Sequence, residues 1–564
     1  MKDILPDDQN SSSMTLKAEI LELRIICKKL IAKNEELVAK NKEYAGMILA
    51  LREQVQLLKD EIAVLKGQKP KPKIPPNRLN KDTSDSSGKD KDGKEKRPGS
   101  DKKSKTGSFE IDETRHIKLE NVPFGATFNG WSDYTVQDLI INKKVILFKL
   151  ATYVDANGKM LSAPLPSEYR TGHFGPQLIA FCLYQYHQCH VTQPLLLEAL
   201  REFGIDMSSG QLNIILIENK EGYHLEKEAM LEPALRGAEY INTDDTGARH
   251  DGKNGYCTHV GGLLFSYFKS TESKSRINFL EVLRGKYTDY IISDEALEYM
   301  FEHGASHDLL NLLEEGPRKR FANFKKWMKH LGRLGIVTKK EQRLATEGAL
   351  VGSLFSHGFD DDLVIISDDA RQFALSLNAL CWIHAERHFR KFIPVSDQVR
   401  LELDQVRDAI WSLYRDLKAY KANPETDRKE ALSKEFNRVF TMRTSSAALN
   451  DLIDRTRMNK EKLLRVLDYP HIPLHNNDSE RDIREYVKRR KISGSTRSAA
   501  GRQARDTFTS LKKTCRKLGL SFWKYLQDRV SGLGKIPQLS ATIPRQFLLK
   551  IQNPFSQKIG NIVF

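Results

Sequence analysis

The feature that most restricts the fold is a seven-residue repeat of apolar side chains over residues 14–66. One position of the repeat is held by Leu16, Leu23, Leu30, Leu37, Tyr44, Leu51, Leu58 and Leu65. The position four residues later is held by Ile20, Cys27, Asn34, Asn41, Ile48, Val55 and Ile62. This spacing predicts a coiled coil, because a single helix packed on its own core does not need so strict a repeat. The two asparagines favour a parallel dimer in fixed register.

The segment after the repeat has the composition of a linker. Residues 67–107 contain Pro, Gly, Ser, Asp and Lys with almost no large apolar side chains. Such a segment cannot bury enough surface to fold, so we expect a disordered basic linker. Its lysines either stay solvated or touch DNA without sequence preference.

Charge and cysteine content restrict the partner and the compartment. The formal net charge is +16 and the pI about 9.3. This balance favours nucleic acid or an anionic membrane surface as partner, although a charged solvated surface has the same composition. No apolar run approaches the ~20 residues of a membrane helix, and the polar start MKDILPDDQN is unlike a signal peptide. The six cysteines include no Cys-x-x-Cys spacing, so we expect a reduced, cytoplasmic protein.

Two small modules are predicted between the linker and the main domain. Residues 108–172 alternate polar and apolar residues, and the turn DANGK predicts a hairpin within a small β-rich module. Residues 173–225 read as helices, with Thr192 and Ser208 as predicted N-caps on either side of a glycine-containing turn. Helix, turn and helix predict a helix-turn-helix DNA-binding domain, an outline shared by many small helical domains that do not bind DNA.

The remainder predicts an α/β domain. Strands lead to Asp244 and Asp368, and GYCTHVGGLLFSYFKST predicts a strand pair between them. Helices are predicted over 293–350 and over 397–468, with a break at Asn423-Pro424. The segment LNALCWIHAERHFRKF predicts a short strand and a helix. Near the end, GLSFWKYLQDRV predicts a short amphipathic helix, and 531–564 is taken as a C-terminal tail.

Three carboxylates form the candidate catalytic and metal-binding site. Asp244 and Asp368 stand at strand ends, and Glu480 stands in the first turn of a basic helix. Carboxylates brought together in this way can bind two divalent ions that promote phosphoryl transfer on DNA. The alternative is ordinary, since Asp often caps a turn and Glu often pairs along a helix. Asp245 is a rival to Asp244 as the first metal ligand.

The helix that carries Glu480 is also the predicted phosphate-binding element. Ile483 and Val487 are expected to pack inward. The cations left for phosphates are Arg481, Arg484, Lys488, Arg489, Arg490 and Lys491.

Two further clusters have metal-ligand chemistry. Cys381, His384 and His388 have a C-x₂-H-x₃-H spacing that zinc could use, but a fourth ligand is not evident. The alternative is a buried strand-helix junction. A second group fits no common zinc spacing and favours core packing; it consists of Cys182, His187, Cys189 and His190.

Several of these segments together resemble bacterial transposases of the IS66 type, from the N-terminal repeat through about residue 530. The matching segments are TDDTGARHDGKNGYCTH, SKSRINFLEVLR, ATEGALVGSLFSHGFDDDLVIISDDARQF, ALCWIHAERHF and IPLHNNDSERDIREYVKRRKISGSTRSAAGR. The resemblance implies an RNase H-like catalytic core with a DDE triad over 236–530, interrupted by a helical insertion at about 393–470. By motif, the first acid is Asp244, the second is Asp368 in SDDARQF, and the third is Glu480 in NNDSERDIR.

Two departures from the family pattern concern the metal sites. Residues 68–172 contain no cysteine, so the four-cysteine zinc segment of many members is absent or metal-free here. The family's Glu after the first Asp is Asp245 in this chain. A C-x-x-H element near the active site of several RNase H-like transposase groups resembles Cys381 and His384, which implies that they support the triad or contact DNA.

The function predicted from residues and resemblance together is DNA transposition with Mg²⁺ or Mn²⁺ as cofactor. The predicted partners are double-stranded DNA at the element's terminal inverted repeats, target DNA, and a second copy or more through 14–66. Accessory proteins of the same element are possible partners, no membrane is expected, and the expected location is the bacterial cytoplasm at the nucleoid. The alternatives are a noncatalytic dimeric DNA-binding regulator derived from a transposase, and a structural coiled-coil protein that binds nucleic acid without specificity.

Overall fold

The computed structural model describes residues 29, 33, 110–117, 126, 131, 134–169, 172–316, 318–375 and 377–552. The predicted linker lies outside these residues, as does the predicted coiled coil of 14–66 apart from Lys29 and Lys33. The chain divides into two units, 1–136 and 137–564, and every element named below belongs to the second.

The predicted hairpin around DANGK is confirmed. Strands β1 (Thr152–Val154) and β2 (Met160–Ser162) pair antiparallel. The Asp155 carboxylate accepts from the backbone N–H of Asn157 at 2.9 Å and of Lys159 at 2.8 Å, which closes the turn. Within 134–151 the backbone forms no helix or strand, so the described part of this module holds the hairpin and a short 3-10 helix, Ser167–Tyr169.

Three short helices follow and share a small apolar core. They are α1 (Pro176–His187), α2 (Gln193–Glu202) and α3 (Ser209–Ile217). Ser208 caps α3 through a reciprocal pair of hydrogen bonds with Gln211, as its position before the apolar run predicted. Thr192 is the N-cap of α2 but makes no side-chain cap bond. Buried Leu200 and Leu212 hold α2 and α3 together. The longer helix α4 (Glu221–Gly237) then leads into the sheet.

A five-stranded mixed sheet forms the centre of the α/β region. The strands of the region are β3 (Tyr240–Gly247), β4 (Tyr256–Gly261), β5 (Ser266–Thr271), β6 (Tyr290–Ile291), β7 (Arg320–Phe321), β8 (Val364–Ser367) and β9 (Asn378–Leu380). The large sheet has the order β5-β4-β3-β8-β9, while β6 and β7 pair separately. Strands β3, β4 and β5 are antiparallel neighbours, and β8 and β9 run parallel to β3.

Helices between β5 and β8 build the largest apolar core. They are α5 (Arg276–Arg284), α6 (Asp294–Glu302), α7 (His307–Glu314), α8 (Phe324–Arg333) and α9 (Lys339–Ser356). Helix α9 passes very close to β6, because a Cβ at Gly352 would lie 2.4 Å from the carbonyl oxygen of Ile291. Only glycine permits this approach.

A second apolar core lies on the other side of β8 and is built by the helices after β9. They are α10 (Trp382–Lys391), α11 (Asp397–Ala422), α12 (Thr426–Val439), α13 (Ala447–Met458) and α14 (Lys460–Leu463). The predicted break falls between α11 and α12, where Asn423 and Pro424 stand.

The last helices return to the sheet. They are α15 (Asn477–Ser493), α16 (Ala499–Lys517), α17 (Phe522–Ser531) and α18 (Leu539–Gln552). Helix α18 lies in the stretch taken from sequence as a tail, and its Leu539 and Ile543 are fully buried. Within the described residues, no helix combines the length and the apolar character needed to cross a membrane.

Candidate active site

The central strand β3 directs its two consecutive aspartates to opposite faces of the sheet, as alternation along a strand requires. Asp244 pairs across to His259 and Asp245 to Thr258. The Asp245 carboxylate accepts from Thr258 Oγ1 at 2.6 Å and from Gln372 Nε2 at 3.0 Å. The His259 ring contacts Ser479 of helix α15. Asp244 therefore shares its face with the helix that carries Glu480, whereas Asp245 is held by side chains on the other face.

The parallel neighbour β8 brings Asp368 to the level of Asp244. Asn242 of β3 pairs with Ile366 of β8. Asp244 lies two residues after Asn242, and Asp368 lies two residues after Ile366. Asp368 is the first residue after the strand, and its Oδ1 accepts from the backbone N–H of Ala370 at 3.1 Å. This local bond fixes the carboxylate at the strand end.

Asn476 ties the start of helix α15 to the same strand. It occupies the N-cap position but makes no side-chain cap bond. Instead its Nδ2 donates to the carbonyl oxygen of Thr243 at 2.7 Å, and its backbone N–H donates to Cys381 Sγ at 3.2 Å. Because Thr243 directly precedes Asp244, Asn476 holds the first turn of the helix, and with it Glu480, beside the first acid.

The pKa of Asp244 records this convergence. Burial raises it, and the nearby charges of Asp368, Asp245 and Glu480 raise it further, to about 7. The charges of Asp368 and Glu480 therefore act on Asp244, as does the charge of Asp245 on the other face of the sheet. The pKa of Asp245 is also raised, chiefly by burial, while its bonds from Thr258 and Gln372 oppose the shift.

The residue types fit a hard divalent cation, since carboxylates are its preferred ligands and a cation would relieve their mutual repulsion. The side chains do not form a ready coordination shell, however. Among the described residues, no group of three His, Cys, Asp or Glu side chains is arranged to hold a metal ion. Glu480 Oε1 instead lies 3.3 Å from Arg387 Nη2 and 3.5 Å from His384 Nε2.

Comparison with known proteins identifies the family of this chain. The model of the Transposase IS66 family matches residues 370–504. An uncharacterized protein of Sinorhizobium fredii, y4jO, is 43% identical over 303 residues, which cover 53% of this chain and 94% of that protein. The chain belongs to the IS66 transposase family. The family match contains Glu480 and the helices α11–α14, and it begins two residues after Asp368.

In this IS66 family chain, the cysteine and the first histidine of the C-x₂-H-x₃-H motif lie next to the acids and hydrogen-bond residues that hold Glu480. Cys381 Sγ accepts from Asn476, as described above. His384 Nε2 accepts from Arg387 Nη1 at 2.9 Å, and burial together with the Arg387 charge lowers the pKa of His384. By accepting this hydrogen bond, His384 supports the Arg387 guanidinium next to Glu480. With His388 exposed at the rim, the three side chains border a cavity of about 110 Å³ between α10 and α13.

Arg387 is a residue of this site that the sequence analysis missed. It stands three residues after His384, so both lie on one face of α10 and reach Glu480 together. The helical spacing from His384 was the available signal.

The prediction that all six cations of α15 remain for phosphates is wrong for Arg489 and Arg490. Arg489 is buried, donates to the carbonyl oxygen of Tyr186 at 2.8 Å and stacks on the Tyr186 ring. Arg490 is half-buried and donates to the carbonyl oxygen of Gly247. The exposed cations are Arg481, Arg484, Lys488 and Lys491. Arg489 follows buried Tyr486 by three residues, a helical spacing that indicates the inner face.

The histidine and cysteine group near 182–190 also has a structural role. Cys182 is buried in the core of α1–α3. His187 stacks on Phe508 and bonds the carbonyl oxygen of Leu216 through Nε2. His190 Nε2 lies 2.8 Å from Glu485. The predicted core packing is confirmed for Cys182 and His187.

Proposed function

We propose that this IS66 family protein is a DNA transposase that binds the terminal inverted repeats of its element and catalyses metal-dependent strand cleavage and strand transfer. The observation that carries the proposal is the arrangement of β3, β8 and α15, because the parallel pairing of β3 with β8 brings Asp368 to the level of Asp244 and the bond from Asn476 to Thr243 holds the helix of Glu480 beside them. The mixed sheet supports an RNase H-like core, since its central strand bears the first acid and the parallel neighbour ends at the second.

The proposed metal ligands are Asp244, Asp368 and Glu480, with Mg²⁺ or Mn²⁺ as the ion. When bound, a pair of such ions activates the attacking oxygen and stabilises the leaving oxygen of the phosphodiester. The chain's own residues hold the acids in place. Asn476 fixes the helix of Glu480 to β3, and Ala370 orients Asp368. Arg387 balances the Glu480 charge in the metal-free state.

Phosphate contact is proposed for the outward face of α15. Arg484 and Lys488 are exposed there, with side chains 70% and 67% accessible. Because Glu480 lies on the same helix, a DNA backbone bound by these cations passes next to the acids. Repeat recognition is proposed for the helix-turn-helix within 173–225. Dimerisation through 14–66, accessory proteins of the same element and action at the nucleoid complete the proposal.

The test is nicking of a labelled DNA fragment that carries the element's flanking inverted repeat, with Mg²⁺ or with EDTA. The native protein should nick at the element end only with metal. Asp368→Asn should abolish nicking, while the matched control Asp369→Asn should retain it, because exposed Asp369 makes only a weak bond of 3.4 Å from Asn459. Equal activity of Asp368→Asn and the native protein would refute the proposed site.

A second candidate is a noncatalytic DNA-binding regulator derived from a transposase. It is favoured by the lack of a ready three-ligand arrangement among the described residues. This candidate predicts specific binding of the repeats and no cleavage with Mg²⁺ or Mn²⁺.

A further inference from the structure

A fully buried histidine connects the strand of the first acid with the helix of the third. His259 lies on β4, directly opposite Asp244 of β3. Its Nδ1 lies 2.6 Å from Ser479 Oγ, and Ser479 directly precedes Glu480. The His259 side chain thus links the strand position opposite Asp244 to Ser479, the residue before Glu480.

The other side of the ring faces Ser266 of β5 and, at a longer distance, Asp482 of helix α15. Nε2 lies 2.8 Å from Ser266 Oγ and 3.4 Å from the Asp482 carboxylate. Asp482 in turn pairs with Lys513 at 3.3 Å and Lys517 at 2.9 Å, both on helix α16. The imidazole therefore has polar partners at both nitrogens and little freedom to move.

A purely structural role does not need this arrangement. Burial of a polar ring is costly, and an apolar side chain would fill the same space between sheet and helix at lower cost. Its two nitrogens do what an apolar group cannot, because each fixes a hydroxyl at a set distance. The hydroxyl on the Nδ1 side belongs to the helix turn that carries Glu480.

We propose that His259 and Ser479 are positioning residues that set the separation of Glu480 from Asp244 across the sheet-helix contact. The inference rests on the proposed function, since it assigns a role to that separation. Neither residue touches DNA or metal in this role; each acts through the placement of a carboxylate. Groups that orient metal ligands from behind typically change metal affinity or activity by ~10- to ~100-fold when removed.

The two serines that flank the ring provide a matched pair of variants. Ser479→Ala removes the partner on the Glu480 side, and Ser266→Ala removes the partner on the core side. Both serines are fully buried and each bonds a nitrogen of the same ring. A merely structural histidine predicts similar effects of the two changes. A positioning histidine predicts that Ser479→Ala harms the site more.

Substitutions of His259 can likewise remove the contact of one ring nitrogen and keep the contact of the other. The amide of Asn reaches about as far as Nδ1, and the amide of Gln about as far as Nε2. His259→Asn should therefore keep the bond to Ser479, and His259→Gln should keep the bond to Ser266. A double variant, His259→Gln with Ser479→Ala, should be no worse than either single change, because both remove one interaction.

The measurements are Mn²⁺ binding by electron paramagnetic resonance and single-turnover nicking, on full-length protein with end DNA, at temperatures below each variant's unfolding transition. We expect Ser479→Ala and His259→Gln to weaken Mn²⁺ binding and slow nicking by ~10- to ~100-fold at unchanged DNA affinity. Ser266→Ala and His259→Asn should change both by less than ~3-fold.

Equal Mn²⁺ binding by Ser479→Ala and Ser266→Ala would overturn the inference, even if both lose stability. A native protein that binds no Mn²⁺ and does not nick would instead count against the proposed function. If the histidine variants do not fold, the serine pair still decides.

Discussion

Asp244 stands where burial and charge act in the same direction. The carboxylate lies on the central strand, faces the helix of Glu480 and is near Asp368 across the parallel strand pair. These surroundings raise its pKa to about 7. Without a bound metal, the ionised acids repel one another and lower the stability of the folded protein. Destabilising charge clusters of this kind are typical of binding and catalytic sites.

This raised pKa predicts how stability depends on pH without metal. An ordinary Asp titrates near ~3.9, so the folded state binds more protons than the unfolded state between about pH 4 and pH 7. The free energy of unfolding should therefore fall as pH rises through this window. Asp244→Asn removes the effect and should be more stable than the native protein by at most on the order of 4 kcal/mol at pH 8, but not at pH 4.

Urea denaturation in EDTA at pH 4 to 8 measures this difference. Asp369→Asn, an exposed neighbour of the site, is the control and should follow the native curve. An Asp244→Asn variant that is less stable than the native protein at pH 8 would show that the acids do not repel one another.

At the scale of elements, helix α15 is fixed by carboxylates on its inner face. Asp482 pairs with His259 and two lysines, and these contacts hold the pKa of Asp482 far below its usual range. Glu485 pairs with His190 and Lys512, which likewise lower its pKa. The outward face of the same helix keeps its cations in solvent, so one helix combines an ion-paired anchor with a basic surface.

The anchor predicts a large loss of stability on a small change. Asp482→Asn leaves the partly buried ammonium groups of Lys513 and Lys517 without their carboxylate, which typically costs ~3–5 kcal/mol. Asp478→Asn on the same helix breaks only a surface pair with Arg481, worth less than ~1 kcal/mol. Urea denaturation at pH 7 compares the two, and equal small losses would show that the pairs under α15 do not anchor it.

Much of this element could be read from sequence and some could not. The helix, the place of Glu480 in its first turn and the inward packing of Ile483 followed from local spacing. The strand end at Asp368 followed from its apolar run, but the predicted strand end at Asp244 is wrong, because pairing with β4 continues β3 to Gly247. The contact between His259 and Ser479 joins residues 220 positions apart, so no local pattern indicates it. The role of Arg489 was predicted wrongly because charge suggested solvent, whereas its partner lies on α1.

At the scale of the molecule, polar contacts join the segment of helices α1–α3 to helices α15 and α16. Lys512 Nζ donates to the carbonyl oxygen of His187 at 2.7 Å, and Arg489 donates to that of Tyr186. His190 reaches Glu485 on α15. The predicted DNA-binding helices therefore contact the same helix that carries Glu480.

Some lysines are exposed to solvent and others are buried in contacts within the protein, and this difference predicts how DNA binding depends on salt. Lys488→Ala should weaken binding to any duplex and reduce the slope of log K against log salt by ~1, the value for one phosphate contact. Lys512→Ala should lower stability but leave that slope unchanged, because Lys512 is buried with Glu485 and His187. Fluorescence anisotropy between low and moderate salt measures both, and a smaller slope for Lys512→Ala would contradict this assignment.

We propose that acids from β3, β8 and α15 form one metal centre, and Mn²⁺ binding in the presence of end DNA distinguishes one shared centre from separate acids. Electron paramagnetic resonance would compare the native protein with Asp244→Asn and its neighbour Asp245→Asn. Asp244→Asn should weaken Mn²⁺ binding by more than ~100-fold, as should Asp368→Asn and Glu480→Gln, while Asp245→Asn should retain it within ~10-fold. Loss of binding in Asp245→Asn alone, with Asp244→Asn like the native protein, would contradict the proposal.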